Sequence, residues 1–123
     1  MKLLLTYNFM YTISATPLFK TSLQRLKHFL TIKFSVDKAT ATIKLIKSKI
    51  TSNLITQPCI APISPRLLEL GITHYRQYVI DEHNIVFYQI NEKNKTVLLL
   101  AVMDSRQDIQ KLLYELTILA QVD

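Results

Sequence analysis

From Thr16 onward the apolar positions recur at a helical period. Phe19, Leu23, Leu26 and Leu30 follow one another at spacings of four, three and four, one stripe of an α-helix that Leu18 and Phe29 widen. Thr16 offers a hydroxyl to the free N–H groups of the helix start, and Pro17 suits the first turn. Before it, Tyr11 to Ala15 is a short β-compatible run. After it, Ser35 is placed to cap a second helix with the stripe Val36, Ala39, Ile43, Ile46, Ile50 and Leu54. Asp37 falls in that helix's first turn, where the dipole favours negative charge. Two amphipathic helices with a short link predict an antiparallel helical hairpin.

Pro58, Pro62 and Pro65 then break regularity, because proline neither continues a helix nor donates to a sheet ladder. Beyond this loop the period changes to two. THYRQYVID (73–81) and NIVFYQIN (84–91) alternate as strands do, with Glu82-His83 between them. NEKNK reads as a hairpin turn. TVLLLAVM (96–103) is apolar throughout, which suits a central strand buried on both faces. Ile109, Leu112, Leu113 and Leu116 form a last helical stripe. The predicted order is β-α-α-β-β-β-α: an α+β fold with an N-terminal helical hairpin packed on a mainly antiparallel four-stranded sheet. The first strand is expected at an edge or beside the last strand. The 123 residues are expected to form a single domain.

Composition narrows the chemistry. One glycine excludes a glycine-rich phosphate loop, and the lone Cys59 excludes an internal disulfide or a cysteine-clustered metal site. Neither a metal nor a cofactor is expected. The N-terminal apolar run is only Leu3-Leu4-Leu5, too short for a signal peptide, and no run reaches the roughly 20 residues of a membrane span. The expectation is a cytoplasmic protein without membrane contact. The net charge of +6 is uneven. Residues 1–56 hold nine Lys/Arg and one Asp, and residues 57–123 hold six Lys/Arg and eight Asp/Glu. A basic half suits a polyanion or an acidic protein, and equally a solvated lysine face.

The Lys/Arg-rich hairpin, Tyr75-Arg76, the strand IVFYQI (85–90) and the ending VLLLAVMDSRQD (97–108) stand in one order. In that order the chain resembles the RelE/ParE superfamily of bacterial type II toxin–antitoxin toxins, over about residues 10–118. Residues 1–9 are then either an upstream extension or a longer first strand. The resemblance implies a small cytoplasmic protein that arrests growth and is held in a hetero-oligomeric complex by a cognate antitoxin. RelE-like members cleave messenger RNA on the ribosome; ParE-like members poison DNA gyrase.

Metal-free RNA cleavage needs a base for the 2′-hydroxyl, cations for the charged phosphorane and an acid for the leaving oxygen. The candidates are His74, Arg76 and Arg106. His74 and Arg76 lie two residues apart and would share a strand face; Arg106 stands where the last strand hands over to a helix. The bland readings are solvated strand-end histidines and a structural Arg106, paired with Asp108 or an antitoxin carboxylate. His83, a strand-end histidine like His74, is a candidate on the same footing, and Tyr114 is a further one on the final helix. The place of a RelE-type catalytic tyrosine goes to Gln110, and a RelE-type basic pair before the sheet arginine has no match, since 62–70 offers only Arg66. The nuclease set is thus incomplete, and the Arg106-Gln107-Asp108 ending resembles ParE-like members. The expected function is a ParE-like, plasmid-stabilising type of toxin acting on gyrase. A RelE-like endoribonuclease and an inactive antitoxin-binding remnant are the alternatives. Arg25, Lys44, Lys47 and Arg66 are the candidate contacts to a target or polyanion; Leu113, Leu116 and Leu119 are those to the antitoxin.

Overall fold

The computed structural model describes residues 10–107, 110–112 and 114–115. Strand β1 (Thr12–Ala15) leads into helix α1 (Pro17–Lys33) and helix α2 (Val36–Lys49), which continues as a π-helical turn (Ile50–Leu54). A one-turn helix α3 (Pro65–Leu68) precedes strands β2 (Arg76–Val79), β3 (Asn84–Asn91) and β4 (Thr96–Asp104). The caps form as their residue types dictate: Thr16 Oγ1 accepts from the Phe19 N–H at 3.0 Å, and Ser35 Oγ from the Lys38 N–H at 3.0 Å. Residues 110–112 and 114–115 are helical, within the last predicted helix. No helix among the described residues is long and apolar enough to cross a membrane.

The sheet order is β1-β4-β3-β2, with β1 parallel to β4 and the other pairs antiparallel. The apolar run of β4 is therefore interior, as its lack of alternation requires. Phe87 stands opposite Ala101 and Tyr88 opposite Leu99, so Leu100 is one residue more than β3 can match. This bulge switches the facing of β4. Val97, Leu99 and Val102 join Val86 and Tyr88 against the helical hairpin, where Leu26, Leu30, Ala39, Ile46 and Leu54 complete the larger cluster. Ala101 and Met103 join Ile85, Phe87 and Leu67 in a second, smaller cluster on the other face.

Strand β1 stops at Ala15 while β4 runs on, which would leave backbone groups of β4 bare. The start of α1 supplies the partners. Thr16 Oγ1 donates to the Leu100 carbonyl at 3.1 Å, and the buried Ser22 Oγ accepts from the Val102 N–H at 3.0 Å. Ser22→Ala removes that acceptor and leaves a buried N–H unpaired. The expected loss is about 1–3 kcal/mol, read from the urea midpoint.

Three sequence expectations need revision. His74 lies in a bend before β2, so the predicted strand of 73–81 shrinks to Arg76–Val79. The proline loop contains α3, capped by Ser64 Oγ and ended by the lone Gly71 at φ +79°, a backbone conformation that side chains with a Cβ resist. Val36, assigned to the buried stripe, is 62% exposed because the hairpin tip offers it nothing to pack against.

Candidate functional site

At the end of β4 a buried acid and an arginine are locked together. The Asp104 side chain is wholly buried. Its carboxylate accepts from the Arg106 backbone N–H at 2.8 Å, from Nε at 2.7 Å and from Nη2 at 2.5 Å. Burial alone would push the Asp104 carboxyl up, but the Arg106 bonds outweigh it and hold the carboxyl below its ordinary value. Those bonds likewise raise the Arg106 guanidinium. Gln107 Oε1 accepts from the Asp104 N–H at 2.8 Å, closing the turn. The guanidinium also lies over the Phe34 ring, 4.9 Å from its centroid, joining the end of the sheet to the tip of the hairpin. Next to it, Ser105 Oγ is 3.4 Å from His83 Nδ1, and the Ser105 N–H donates to the His83 carbonyl at 2.7 Å. Asp81 shapes the β2–β3 turn by accepting from the N–H groups of His83 and Asn84, each at 2.9 Å.

Sequence reasoning assigned Arg106 to Asp108, which lies outside the described residues, and passed over Asp104. The overlooked signal was an acid closing a seven-residue apolar run, Val97 to Met103, two positions before an arginine. A carboxylate there must be buried, and burial demands a cation close by.

His74 and Arg76 come together elsewhere, in an open pocket of about 540 Å³ with Ile63, Gln89 and Lys93 on its walls. Arg76 Nη1 donates to the Ala61 carbonyl at 2.6 Å, so the side chain is partly engaged in holding the proline loop. Behind it the Tyr88 hydroxyl donates to the Pro58 carbonyl at 2.6 Å, and burial pushes its pKa up to about 12. Neither Phe87 nor Tyr88 is free to stack on a base, since both are fully buried. Arg76 is paired with Tyr88, whereas Asp104 is paired with Asn84. Positions 84 and 88 of β3 are about 13 Å apart at strand rise. Arg106, beyond the end of β4, therefore does not join His74 and Arg76 in the pocket.

The basic candidates are dispersed. Lys44 and Lys47 are exposed on α2. Arg25 is half-exposed on α1 and forms an ion pair with Glu115, tying the last helical residues to the hairpin. Arg66 on α3 has a buried Nη1 without a hydrogen-bond partner. Leu113, Leu116 and Leu119 lie outside the described residues; their neighbour Leu112 packs against the smaller cluster. No group of three His, Cys, Asp or Glu capable of holding a metal occurs among the described residues.

Residues 13–109 match the family model described as the ParE toxin of the type II toxin–antitoxin system parDE. A search of curated proteins returned no match. Among solved structures, the chain is similar to the chromosomal ParDE TA system from P. aeruginosa, with a TM-score of 0.62, 11% identity, and 78% of this chain and 97% of that chain covered. It is also similar to the toxin–antitoxin complex RelBE2 from Mycobacterium tuberculosis, with a TM-score of 0.58, 14% identity, and coverage of 77% and 91%. At these identities the structural likeness is one of fold.

Proposed function

We propose that this chain, which belongs to the ParE toxin family of type II toxin–antitoxin systems, arrests growth by inhibiting DNA gyrase. That it is a toxin with a cognate antitoxin follows from the family; the choice of gyrase is the step beyond it. One observation carries this choice. The residues that would make an RNA-cleaving set are split, with His74 and Arg76 lining one pocket and Arg106 lying outside it, and Arg106 has its charge balanced by the buried Asp104. A phosphorane needs base and cations gathered around one phosphorus within hydrogen-bond reach, and the pocket that gathers His74 and Arg76 does not include Arg106. The chain then acts by binding rather than by chemistry, in the cytoplasm where both antitoxin and gyrase would meet it. Lys44, Lys47 and Arg66 contribute attraction toward the DNA-bearing target, to which Arg25 adds less because Glu115 balances it, and Leu113, Leu116 and Leu119 contribute apolar area to the antitoxin.

The pairing of His74 with Arg76 in one pocket favours a RelE-like endoribonuclease as the second reading. Purified toxin freed from its antitoxin distinguishes the two. Expected are loss of gyrase supercoiling or accumulation of cleaved DNA, with messenger RNA intact in a reconstituted translation reaction. Codon-dependent messenger cleavage that His74→Ala or Arg76→Ala abolishes would overturn the gyrase reading.

A further inference from the structure

The turn between two helices of a soluble hairpin is ordinarily polar. Here Ile32, Phe34 and Val36 are 72%, 45% and 62% exposed, three apolar side chains at alternate positions around the hairpin tip. They belong to neither hydrophobic cluster. The tip is also held from below. Phe34 carries the Arg106 guanidinium on its ring, and Arg106 is itself fixed by two side-chain bonds to the buried Asp104. The ring is thereby oriented before any partner arrives, which lowers the entropy lost on docking. A rigid aromatic with an arginine at its side, flanked by aliphatics, has the composition of a binding hot spot.

We infer that the hairpin tip, Ile32, Phe34 and Val36, is a docking knob for a folded protein that offers an apolar socket rimmed by carboxylates, and that this protein is the toxin's target rather than its antitoxin. Residues 27–38 carry Lys27, Lys33 and Lys38 against Asp37 alone, an excess of positive charge around the patch. Arg106 adds little to it because Asp104 neutralises it. A second copy of the chain would set like charges face to face, so the tip does not suit self-association. Nucleic acid matches the lysines but not the aliphatics, since Ile32 and Val36 cannot stack on bases and would meet a charged, hydrated backbone. The tip is the turn joining two helices, with its apolar side chains exposed, which fits a preformed socket; a flexible antitoxin tail fits a groove along which it can extend. The inference deepens the proposed function, resting on the chain being an active toxin, and it names the element that meets the target.

The test uses Ile32→Ser/Val36→Ser and, separately, Lys33→Glu/Lys38→Glu, each co-expressed with the cognate antitoxin and then expressed alone. The four side chains are exposed, so the complexes should melt within a few degrees of the parent and co-purify with antitoxin in equal yield. Expressed alone, both variants should lose growth arrest, with survivors rising at least tenfold. Binding of purified gyrase should weaken at least tenfold. Growth arrest equal to the parent in the Ile32/Val36 variant overturns the inference, as does a loss confined to antitoxin binding. Parent-like arrest in the lysine variant overturns the carboxylate rim. A parent that arrests growth without binding gyrase defeats the gyrase reading alone, because the tip is still judged by the arrest its variants lose or keep. A parent that causes no arrest removes the target and overturns both.

Discussion

Arg106→Ala is expected to cost about 2–4 kcal/mol of folding stability near neutral pH. The reason is the carboxylate it leaves behind. Asp104 has a wholly buried side chain, and its two oxygens take three bonds from Arg106, of which the variant keeps only the backbone one. Removing one partner of a buried pair strands a charge away from water, a loss of about 3–5 kcal/mol when both partners are buried. Arg106 is 30% exposed, so water recovers part of that. The pH dependence follows from the direction of the Asp104 shift. In the parent, burial raises the carboxyl but the Arg106 bonds depress it further, so its folded value lies below its unfolded one. The resulting stability is complete above about pH 4 and is lost as pH falls through the folded value. In the variant the backbone bond and the nearby His83 still oppose burial, but the guanidinium bonds are gone, so the folded value moves up from its depressed position and acid relieves part of the penalty. Urea unfolding should therefore show the gap between parent and variant narrowing below about pH 4. Asp104→Ala/Arg106→Ala, which removes the stranded charge, should be more stable than Arg106→Ala alone. A single variant within about 0.5 kcal/mol of the parent would show the pair to be surface decoration, the usual worth of an exposed ion pair.

Phe87→Ala is expected to cost about 3–5 kcal/mol, by loss of transfer free energy and the cavity left behind. Phe87 is fully buried at the centre of the smaller cluster, between Leu67 of α3, Ile85, Ala101 and Met103. That cluster has few members to close around a void, so the upper part of the range applies. Leu67 belongs to that cluster and Ile72 and Tyr75 pack against it, and these residues border the segment that walls the pocket of His74 and Arg76. Amide exchange should accelerate first over residues 64–76 and last over the hairpin. Phe87→Leu, which keeps most of the volume, should cost less than about 1.5 kcal/mol. Uniform acceleration across both faces of the sheet would mean that the two clusters unfold as one unit.

Much of the architecture is legible from local pattern. The stripes of α1 and α2, their Thr16 and Ser35 caps and the alternation of β3 depend on residues within a few positions of one another. Chain geometry brings such neighbours together however the rest folds. The family resemblance likewise rested on the order of such short motifs, and the family model covers the same stretch. The candidate site was less legible. Arg106 was recognised, but its role was decided by Asp104, whose burial is a property of the sheet. His74 and Arg76 do share a pocket, yet by a bend before β2 rather than by strand alternation. The bulge at Leu100 was invisible because a wholly apolar strand has no alternation to interrupt.

By itself the sequence determined the hairpin, the meander, the uneven charge and the kinship, since each is a matter of period, composition or order along the chain. The tertiary structure alone decided which groups meet across long separations. Ser22 meets Val102, Phe34 meets Arg106, and the register of β3 pairs Arg76 with Tyr88 but Asp104, the partner of Arg106, with Asn84. The physical reason is that a contact between distant residues depends on how whole elements pack. Packing responds to shape and volume summed over many side chains, which no short window of residues encodes.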